Sequence, residues 1–550
     1  MILSGAQILI EELVRHNADI VFGYPGGAVL DIYDELYKNS DRIQHIITAH
    51  EQGAAHAADG YARVTGKPGV VIATSGPGAT NLVTGIANAY LDSVPLVAIT
   101  GNVAVPLLGR DSFQEVDIVG ITQPIVKHSY IVREPEDLEY IVNEAFAIAS
   151  SGRKGPVLID ISKTAQRGKS EYHGNCNISL KKKKALPDIE KALKAIESSE
   201  RPFIYCGGGV LASDACEEVL ELSKRISAPI GLSIMGLTAI PSSYELNLGV
   251  CGMHGKYASN IAQSDADLMI AIGVRFSDRA TGNIAEYAKN CTVIHIDIDE
   301  AELGKNVNSI IDLCGDAKQI LKEFLALLKS SQKPNWINRV LCYKQTDKPV
   351  SAEGEFLPEN IIKFIREKSD PETIVATDVG QHQMWVMQHY GFLKPHKFLT
   401  SGGLGTMGYG LGAAIGGCIA NNKKRTLLFT GDGSFGMNLN ELATAVTQKL
   451  PILIIIINNG VLGMVRQWQS MFYDSRYSHT TLNRKTDFVK LTRAFGGEGK
   501  TIYSIDQLKE AFQEGFPDDM PFVLDCRTDM DIKVFPMIPP QGSVKNILVK

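Results

Sequence analysis

Two short apolar runs near the carboxyl end of the chain constrain its fold most strongly, because each is followed at once by polar residues. Residues 426–429 lead into Thr-Gly-Asp-Gly-Ser at 430–434, and residues 452–457 lead into Asn458 and Asn459. Continuous apolar runs of this kind are typical of buried parallel strands. The spacing between Asp432 and Asn459 leaves room for one crossover helix, which we expect over residues 439–449. The pattern therefore predicts a parallel α/β sheet with an Asp and an Asn at two strand ends.

These two strand ends predict a site for a metal ion and a diphosphate group. Carboxylate and amide oxygens are the ligands that Mg²⁺ prefers. Glycine-opened loops at the carboxyl ends of parallel strands commonly bind phosphate groups. A Gly-Asp-Gly turn or an asparagine cap is common when it occurs alone, and a purely structural role then explains it. The two segments together favour the magnesium–diphosphate interpretation.

Bulk properties indicate a soluble enzyme of several domains. The chain has 550 residues, which is too many for one ordinary core, and its 44% hydrophobic and 21% charged residues are typical of globular proteins. A net charge of −6 gives no reason to expect nucleic acid or an anionic membrane as a partner. The longest apolar run, residues 451–457, is too short to span a bilayer. The nine scattered cysteines form no Cys-x-x-Cys pair and fit a reducing compartment, so we expect a cytoplasmic protein.

Alternating strand and helix patterns indicate three domains, at 1–168, 188–330 and 355–530, followed by a tail at 531–550. Such alternation predicts a doubly wound parallel sheet in each domain. The polar stretches 169–187, which includes the basic run 181–184, and 330–354 are interpreted as linkers, and the apolar, Pro-containing tail is expected to pack against the rest. The predicted strands are residues 19–23, 43–48, 69–74, 95–100, 156–161, 202–206, 228–232, 268–272, 292–296, 373–377, 397–399, 425–429, 451–457 and 522–525.

Glu51 is a candidate catalytic residue in the first domain. It follows the predicted strand 43–48 and begins a helix rich in small residues. An acidic side chain at this position is favourable for the helix dipole, which is the simpler explanation when Glu51 is taken alone. The functional explanation is a buried carboxylate whose surroundings prepare it for proton transfer. The presence of a predicted diphosphate site in the same chain favours the functional explanation.

Glu51, the Gly-Asp-Gly segment and Asn458-Asn459 together resemble the signature of thiamine-diphosphate-dependent enzymes of the pyruvate-decarboxylating group. The resemblance implies pyrimidine-binding, central FAD-binding and diphosphate-binding domains, in that order. It implies that Glu51 hydrogen-bonds a pyrimidine nitrogen of the cofactor and promotes the imino tautomer, which deprotonates the thiazolium carbon. That carbon attacks a 2-oxo acid, and the ring accepts electrons as carbon dioxide leaves. Magnesium would be held by Asp432, Asn459 and the main-chain carbonyl near Val461.

Further segments are similar to acetohydroxyacid synthase, the biosynthetic acetolactate synthase large subunit. They are Tyr-Pro-Gly-Gly at 24–27, Ser-Gly-Pro-Gly at 75–78, Phe-Gln-Glu at 113–115, Gly-Met-His-Gly at 252–255, Arg-Phe-Ser-Asp-Arg at 275–279, Met-Val-Arg-Gln-Trp-Gln at 464–469 and Phe-Pro-Met-Ile-Pro-Pro at 535–540. The similarity implies that pyruvate is decarboxylated and its hydroxyethyl unit is ligated to pyruvate or 2-oxobutyrate. The products would be 2-acetolactate and 2-aceto-2-hydroxybutyrate, for the biosynthesis of valine, leucine and isoleucine.

The same resemblance implies three cofactors, thiamine diphosphate, Mg²⁺ and FAD, and a residue set for each part of the site. Gly405 and Met407 would meet the pyrimidine, with Met407 supporting the bent cofactor. The diphosphate contacts would be Val379, Gly380, Gln381, His382, Gly431, Gly433 and Ser434. The FAD contacts would be Arg153, Gly207, Gly208, Gly209, Met253, His254, Gly255, Arg275, Asp297, Gly315 and Asp316.

The substrate side of the site is also assigned by resemblance. Arg279 would bind the carboxylate of the second 2-oxo acid, and Trp468 would favour 2-oxobutyrate over pyruvate by contacting its extra methylene group. For Arg279 a surface ion pair is the simpler alternative, and for Trp468 it is a surface anchor. The remaining residues near the reaction centre would be Phe113, Gln114, Lys163 and Met464. Lys163 stands in Ser-Lys-Thr, whereas the family usually has Pro-Lys-Asp.

Two other functions remain open at this stage. One is a flavin-dependent pyruvate oxidase or another 2-oxo acid carboligase, such as glyoxylate carboligase, which lacks the glutamate at this position. The other is a catalytically silent relative that serves as a scaffold. Because the family pairs the first domain of one subunit with the third domain of another, the resemblance implies a homodimer or homotetramer. It also implies a small regulatory subunit as a partner.

Overall fold

The computed structural model describes residues 1–176, 178, 187–347 and 354–549 and shows three α/β domains, each with a six-stranded parallel sheet flanked by helices. The predicted fold class is confirmed. The basic run 181–184 lies outside the described residues. Within the described ranges, no helix combines the length and the apolar composition needed to cross a membrane.

The first domain begins with a well-capped helix, in which the hydroxyl of Ser4 accepts a hydrogen bond from the N–H of Gln7 and the Gln7 side chain accepts from the N–H of Ser4. Its strands are β1 (Ile2–Ser4), β2 (Ile20–Tyr24), β3 (Gln44–Ile47), β4 (Gly69–Ala73), β5 (Leu96–Asn102), β6 (His128–Val132), β7 (Pro156–Ser162) and β8 (Lys169–Glu171). Its helices are α1 (Gly5–Arg15), α2 (Leu30–Lys38), α3 (Glu51–Thr65), α4 (Pro77–Asn81), α5 (Val83–Leu91), α6 (Ile118–Thr122), α7 (Leu138–Ser150) and α8 (Lys163–Arg167). The sheet order is β3-β2-β4-β5-β7-β6, and β1 pairs with β8 separately.

The strands of the second domain are β9 (Pro202–Cys206), β10 (Ile230–Leu232), β11 (Asn247–Val250), β12 (Leu268–Ile272), β13 (Thr292–Asp297) and β14 (Ile311–Cys314). Their order in the sheet is β11-β10-β9-β12-β13-β14. The helices are α9 (Glu190–Ser198), α10 (Gly208–Ala212), α11 (Cys216–Ile226), α12 (Tyr257–Asp265), α13 (Asp278–Thr281), α14 (Ala317–Leu327) and α15 (Pro334–Thr346).

The third domain repeats the same architecture with the strands β15 (Val375–Thr377), β16 (Phe398–Leu399), β17 (Thr426–Gly431), β18 (Ile452–Asn458), β19 (Glu498–Ile502) and β20 (Phe522–Arg527). Their order in the sheet is β16-β15-β17-β18-β20-β19. Its helices are α16 (Pro358–Glu367), α17 (Gln381–His389), α18 (Tyr409–Ala420), α19 (Asp432–Asn438), α20 (Leu442–Thr447), α21 (Gly463–Phe472), α22 (Phe488–Ala494) and α23 (Ile505–Glu514).

Every strand predicted from the sequence is present, within a few residues at its ends. The strands that the sequence pattern missed include β6, β11, β14 and β19, and each of these lies at the edge of its sheet. Edge strands are only partly buried and therefore carry polar residues, as in the Glu-Gly-Lys-Thr-Ile sequence of β19. The central strands are buried on both faces, which explains their continuous apolar pattern.

Three local predictions were wrong. Residues 330–354 are not only a polar linker, because α15 lies within them and its buried Trp336 donates its indole N–H to the carbonyl of Pro202 at 2.9 Å. Residues 169–187 contain β8, which pairs with β1. The single crossover helix expected over 439–449 is instead α19, which begins at Asp432 itself, followed by a short 3-10 turn and α20.

The first and third domains pack together through the small residues of α3 and α18. A Cβ atom on Gly416 would lie 1.8 Å from the carbonyl oxygen of Ala57, and one on Gly60 would lie 2.3 Å from that of Ala413. The two backbones therefore approach so closely that only glycine fits at these positions. This contact fixes the first turn of α3, where Glu51 lies, against the third domain of the same chain.

The tail packs against the second and third domains, as predicted. The N–H of Ile538 donates to the carbonyl of Met253 at 2.8 Å, and the N–H of Asn283 donates to the carbonyl of Gly542 at 3.0 Å. Gln467 on α21 accepts a hydrogen bond from the N–H of Val534 at 2.9 Å. The tail therefore joins the second domain to the helix that carries Met464 and Trp468.

Candidate functional site

A small cleft lies where β17 and β18 end side by side. The two strands pair in register from Thr426 with Ile452 to Gly431 with Ile457, so Asp432 and Asn459 leave the sheet next to each other. The cleft has a volume of about 80 Å³. The structure thus brings together all the residues predicted for the metal and the diphosphate: Val379, Gly380, Gln381, His382, Gly431, Asp432, Gly433, Ser434, Asn459 and Val461.

The groups in this cleft fit a divalent cation and a diphosphate. A carboxylate from Asp432, an amide oxygen from Asn459 and main-chain carbonyls are oxygen donors of the kind that Mg²⁺ takes. A Cβ atom on Gly433 would lie 2.8 Å from the Leu462 side chain, so the glycine keeps the cleft open at this wall. Burial raises the pKa of Asp432 to about 6. A cation bound beside this carboxylate would lower the pKa again and keep the group charged.

His382 supplies a second sign that a ligand belongs in the cleft. Its Nε2 atom is buried and has no hydrogen-bond partner in the described part of the chain. Burial lowers the pKa of His382 to about 3, so the ring is neutral near pH 7. Buried polar atoms are almost always paired, and an unpaired one at the floor of a cleft fits a missing ligand.

A much larger cavity, of about 1510 Å³, opens between the three domains. Residues predicted to contact FAD line it from the first and second domains, namely Arg153, Gly208, Gly209, Met253, His254, Arg275, Asp297 and Asp316. Gly207, Gly255 and Gly315 are not among the described residues that line it. Gly207 lies behind the wall instead, where a Cβ atom would be 1.9 Å from the carbonyl oxygen of Gly273.

The small cleft and the large cavity meet at Met407 and Met464, which line both. Gly405 lies on the large-cavity side of Met407. Trp468 follows Met464 by one helical turn on α21 and faces the large cavity. The residues predicted for the pyrimidine and for the second substrate therefore lie at the junction of the two spaces.

Arg279 and Trp468 form a cation–π pair in the large cavity. The guanidinium carbon of Arg279, from α13 in the second domain, lies 5.5 Å from the centre of the Trp468 ring. One of the terminal guanidinium nitrogens of Arg279 lies 3.6 Å from the sulfur of Met253. The guanidinium thus lies beside an aromatic wall. Its Nε is also 3.8 Å from the carboxylate of Asp278, and the Arg279 side chain is 62% exposed, so that a further carboxylate can reach it.

Glu51 occupies the buried first turn of α3. Its Oε2 accepts a hydrogen bond from the side-chain amide of Asn81 at 2.9 Å, and a Cβ atom on Gly78 would lie 3.3 Å from its Oε1. A Cβ atom on Gly76, in the same Ser-Gly-Pro-Gly loop, would lie 2.9 Å from Gln114. The loop therefore brings Glu51 and Gln114 to its two ends. Asn81 lies 30 residues from Glu51 in the chain, and no local sequence pattern marks it as the partner of Glu51.

The remaining first-domain candidates lie apart from both cavities of their own chain. Phe113 is 87% exposed, and Lys163 begins α8 after Ser162, whose hydroxyl caps that helix. Of the residues that the structure describes, those lining the two cavities include neither Glu51 and Gln114 nor Phe113 and Lys163. One chain therefore presents the two halves of the expected site on different surfaces.

Comparison with known proteins identifies the family. Residues 3–121 match the N-terminal TPP binding domain of thiamine pyrophosphate enzymes, residues 189–324 match the central domain, and residues 378–526 match the C-terminal TPP binding domain. A probable acetolactate synthase large subunit of Methanocaldococcus jannaschii is 43% identical, over 99% of this chain and 95% of that protein.

Two further relatives have the same name. The acetolactate synthase large subunit of Buchnera aphidicola subsp. Acyrthosiphon pisum is 42% identical, over 100% of this chain and 99% of that protein. That of Cyanidium caldarium is 44% identical, over 100% of this chain and 97% of that protein. These matches do not support the oxidase or scaffold alternatives. The chain therefore belongs to the acetolactate synthase large-subunit family of thiamine pyrophosphate enzymes.

Proposed function

We propose that the chain is the catalytic subunit of an acetolactate synthase, which joins the hydroxyethyl unit of pyruvate to pyruvate or to 2-oxobutyrate. The observation that carries this proposal is the junction at Met407 and Met464. There a cleft with diphosphate-binding character opens into a cavity whose wall holds the Arg279–Trp468 pair. A 2-oxo acid needs a cation for its carboxylate and an apolar wall for its alkyl group, and this pair supplies both.

The small cleft would hold thiamine diphosphate with Mg²⁺. Asp432, Asn459 and the carbonyl near Val461 would ligate the metal, and the glycine-lined segments at 379–382 and 431–434 would bind the diphosphate. Met407 would support the cofactor where the two spaces meet. When bound, this cofactor supplies the carbon nucleophile that attacks a 2-oxo acid and the ring that accepts electrons as carbon dioxide leaves.

The large cavity would hold FAD. The glycine pair Gly208 and Gly209 at the start of α10 suits a pyrophosphate group, and Asp297 at the end of β13 suits a ribose. Burial raises the pKa of Asp297. A ribose hydroxyl that donates to this carboxylate would stabilise its charged form. The volume of about 1510 Å³ is ample for a dinucleotide.

The chain's own residues would act on the substrates in three ways. Glu51 would hold a proton beside the pyrimidine, in the buried first turn of α3. Arg279 would orient the second 2-oxo acid through a bidentate contact with its carboxylate. Trp468 would contact the alkyl group of that acid, and the extra methylene of 2-oxobutyrate would favour it over pyruvate by roughly 1–3 kcal/mol. Phe113, Gln114, Lys163 and Met464 would close the reaction centre.

The working enzyme would be a homodimer, or a homotetramer made of two such dimers, in which a second copy completes each site. This proposal is supported by the placement of Glu51 and Phe113 outside the cavities of their own chain. A small regulatory subunit would be a further partner, since the relatives are named large subunits. We also propose a cytoplasmic location and domain limits close to the predicted 1–168, 188–330 and 355–530, with β8 (Lys169–Glu171) added to the first domain and α15 (Pro334–Thr346) added to the second.

The deciding experiment is a product assay with pyruvate alone and with pyruvate plus 2-oxobutyrate, in the presence of thiamine diphosphate, Mg²⁺ and FAD. We expect 2-acetolactate in the first case and 2-aceto-2-hydroxybutyrate in the second. Oxygen uptake, followed in parallel with an oxygen electrode, should stay at the background level. A preparation that consumes oxygen without forming either product would contradict the proposal.

A further inference from the structure

The loop that joins β16 to α18 is held in place by side chains of the first domain. This loop spans residues 400–408, lines the large cavity and carries Gly405 and Met407. Met407 also lines the small cleft. The shape of the loop therefore decides how the two spaces meet and where a cofactor ring would lie between them.

Asp92 holds the first half of the loop. Its carboxylate accepts hydrogen bonds from the N–H groups of Gly402 at 3.0 Å and Gly403 at 2.7 Å, and Arg63 donates to it at 2.9 Å. The Asp92 side chain is fully buried. Hydrogen bonds to a charged acceptor are about twice as strong as those between neutral groups. A Cβ atom on Gly403 would lie 2.9 Å from the same carboxylate, so a side chain at this position would displace the contact.

Asn88 links the two ends of the loop. Its Oδ1 accepts hydrogen bonds from the hydroxyls of Ser401 at 2.6 Å and Thr406 at 3.3 Å. The Ser401 hydroxyl in turn accepts from the N–H of Thr406 at 2.9 Å. The amide nitrogen of Asn88 donates to Asp59 at 3.2 Å, so both ends of this buried side chain are engaged. The loop is thus tied at both ends to one helical segment of the first domain.

The same network reaches α18 beyond the loop. The carboxylate of Asp59 accepts hydrogen bonds from the hydroxyl of Tyr409 at 2.6 Å and from Arg63 at 2.6 Å. Asp59 and Tyr409 are fully buried. Buried charges that lose a partner are costly, so this network favours one arrangement of the loop over the alternatives.

We propose that Asp92 and Asn88 are positioning residues that hold the 400–408 loop in its cofactor-binding shape. By this means the first domain of each chain shapes the cofactor pocket of its own third domain. The inference rests on the proposed function, in which Gly405 and Met407 meet the pyrimidine. Both residues act through the loop, and FAD is kept saturating in the test because Asp92 also lines the large cavity. When the competent loop shape is less populated, the apparent affinity for the cofactor falls in proportion, whereas turnover of the loaded enzyme is preserved.

The test is Asp92→Asn, with activity titrated against thiamine diphosphate at saturating Mg²⁺, FAD and pyruvate. The new amide nitrogen would face one of the two backbone N–H groups, so one hydrogen bond is lost together with the charge. We expect the half-saturating concentration of thiamine diphosphate to rise roughly tenfold while kcat stays within about threefold of wild type.

Asp267→Asn is the matched control. Asp267 also accepts hydrogen bonds from two consecutive backbone N–H groups, those of Glu200 and Arg201, each at 3.0 Å. It is not one of the described residues that line either cavity. We expect its half-saturating concentration of thiamine diphosphate to equal that of wild type, which separates loop positioning from a general loss of a backbone clamp.

Ser401→Ala keeps the proposal testable if Asp92→Asn does not fold. It removes the hydroxyl that joins Asn88 to Thr406, and we expect a rise of about threefold in the same half-saturating concentration. A folded Asp92→Asn or Ser401→Ala protein with an unshifted value, or with a loss confined to kcat, would overturn the inference. A wild-type protein that forms no acetolactate would instead overturn the proposed function, whereas wild-type activity with unshifted variants overturns the inference alone.

Discussion

The guanidinium of Arg279 lies over the ring of Trp468, 5.5 Å from its centre, although the two side chains come from different domains. Arg279 belongs to α13 of the second domain and Trp468 to α21 of the third. The pair sits one helical turn from Met464, where the small cleft meets the large cavity. A positive charge and a flat apolar wall are therefore presented together at the position proposed for the second substrate.

Trp468→Leu should change the choice of second substrate. A smaller and more flexible side chain loses contact with the extra methylene group of 2-oxobutyrate, so we expect the preference for 2-oxobutyrate over pyruvate to fall roughly tenfold. The measurement is the ratio of the two products at equal acceptor concentrations. The control is Phe472→Leu, because Phe472 contacts Trp468, with ring centres 5.7 Å apart, and is not among the described cavity residues. An unchanged product ratio in Trp468→Leu would exclude this role.

Glu51→Gln should bind the cofactor and lose most of its activity. The amide keeps the size of the side chain and can still accept from Asn81, but it has no acidic proton to share with a pyrimidine nitrogen. We expect kcat to fall by about 100-fold or more, with cofactor binding followed by fluorescence quenching. Glu11→Gln is the control, since Glu11 pairs with Arg42 on the surface. Near-wild-type turnover of Glu51→Gln would remove Glu51 from the mechanism.

The strands at the centre of each sheet could be predicted from the sequence because burial on both faces leaves a continuous apolar run. Ile452–Asn458 is the clearest case. Helix α15 could not be predicted from the sequence, because its buried Trp336 and Val340 are flanked by polar residues in the chain. Their apolar neighbours are present only in the folded second domain. Periodicity reports on burial, and it is weakest where an element is buried along a narrow stripe.

The candidate site also has residues that could be predicted from the sequence and residues that could not. Asp432 and Asn459 could be predicted as neighbours because strand order and register follow from the α/β pattern. Asn81, the partner of Glu51, and Asp92, which binds the 400–408 loop, could not be predicted, because each is a single polar residue whose contact is made by tertiary packing. Asp92 and Gly403 are 311 positions apart in the chain. No local pattern marks such a pair.

A mixture of two inactive variants should recover activity if each site is shared between two chains. Glu51→Gln impairs the first-domain half of a site, and Asp432→Asn impairs the third-domain half. In a hybrid dimer one site carries both changes and the other carries neither. Random reassociation at equal amounts should therefore restore about a quarter of the wild-type activity. The assay is acetolactate formation after dissociation and remixing. Recovery no greater than the sum of the separate variants would place both residues in a site within one chain.

Asp160 should make the stability of the first domain depend on pH. It is buried on β7 and accepts hydrogen bonds from Thr100 at 2.7 Å and Asn102 at 2.5 Å. Burial raises its pKa to about 7. The folded state therefore binds the proton more tightly than the unfolded state, so this contribution is complete below the unfolded pKa and is lost as pH rises to about 7. Each unit by which the folded pKa exceeds the unfolded pKa is worth about 1.4 kcal/mol of stability.

In Asp160→Asn, we expect the midpoint of thermal unfolding to fall less between acidic and neutral pH than in wild type. Asp31→Asn, which alters an exposed ion pair with Arg167, should show the same fall in midpoint as wild type. An equal fall in all three proteins would rule out this role for Asp160.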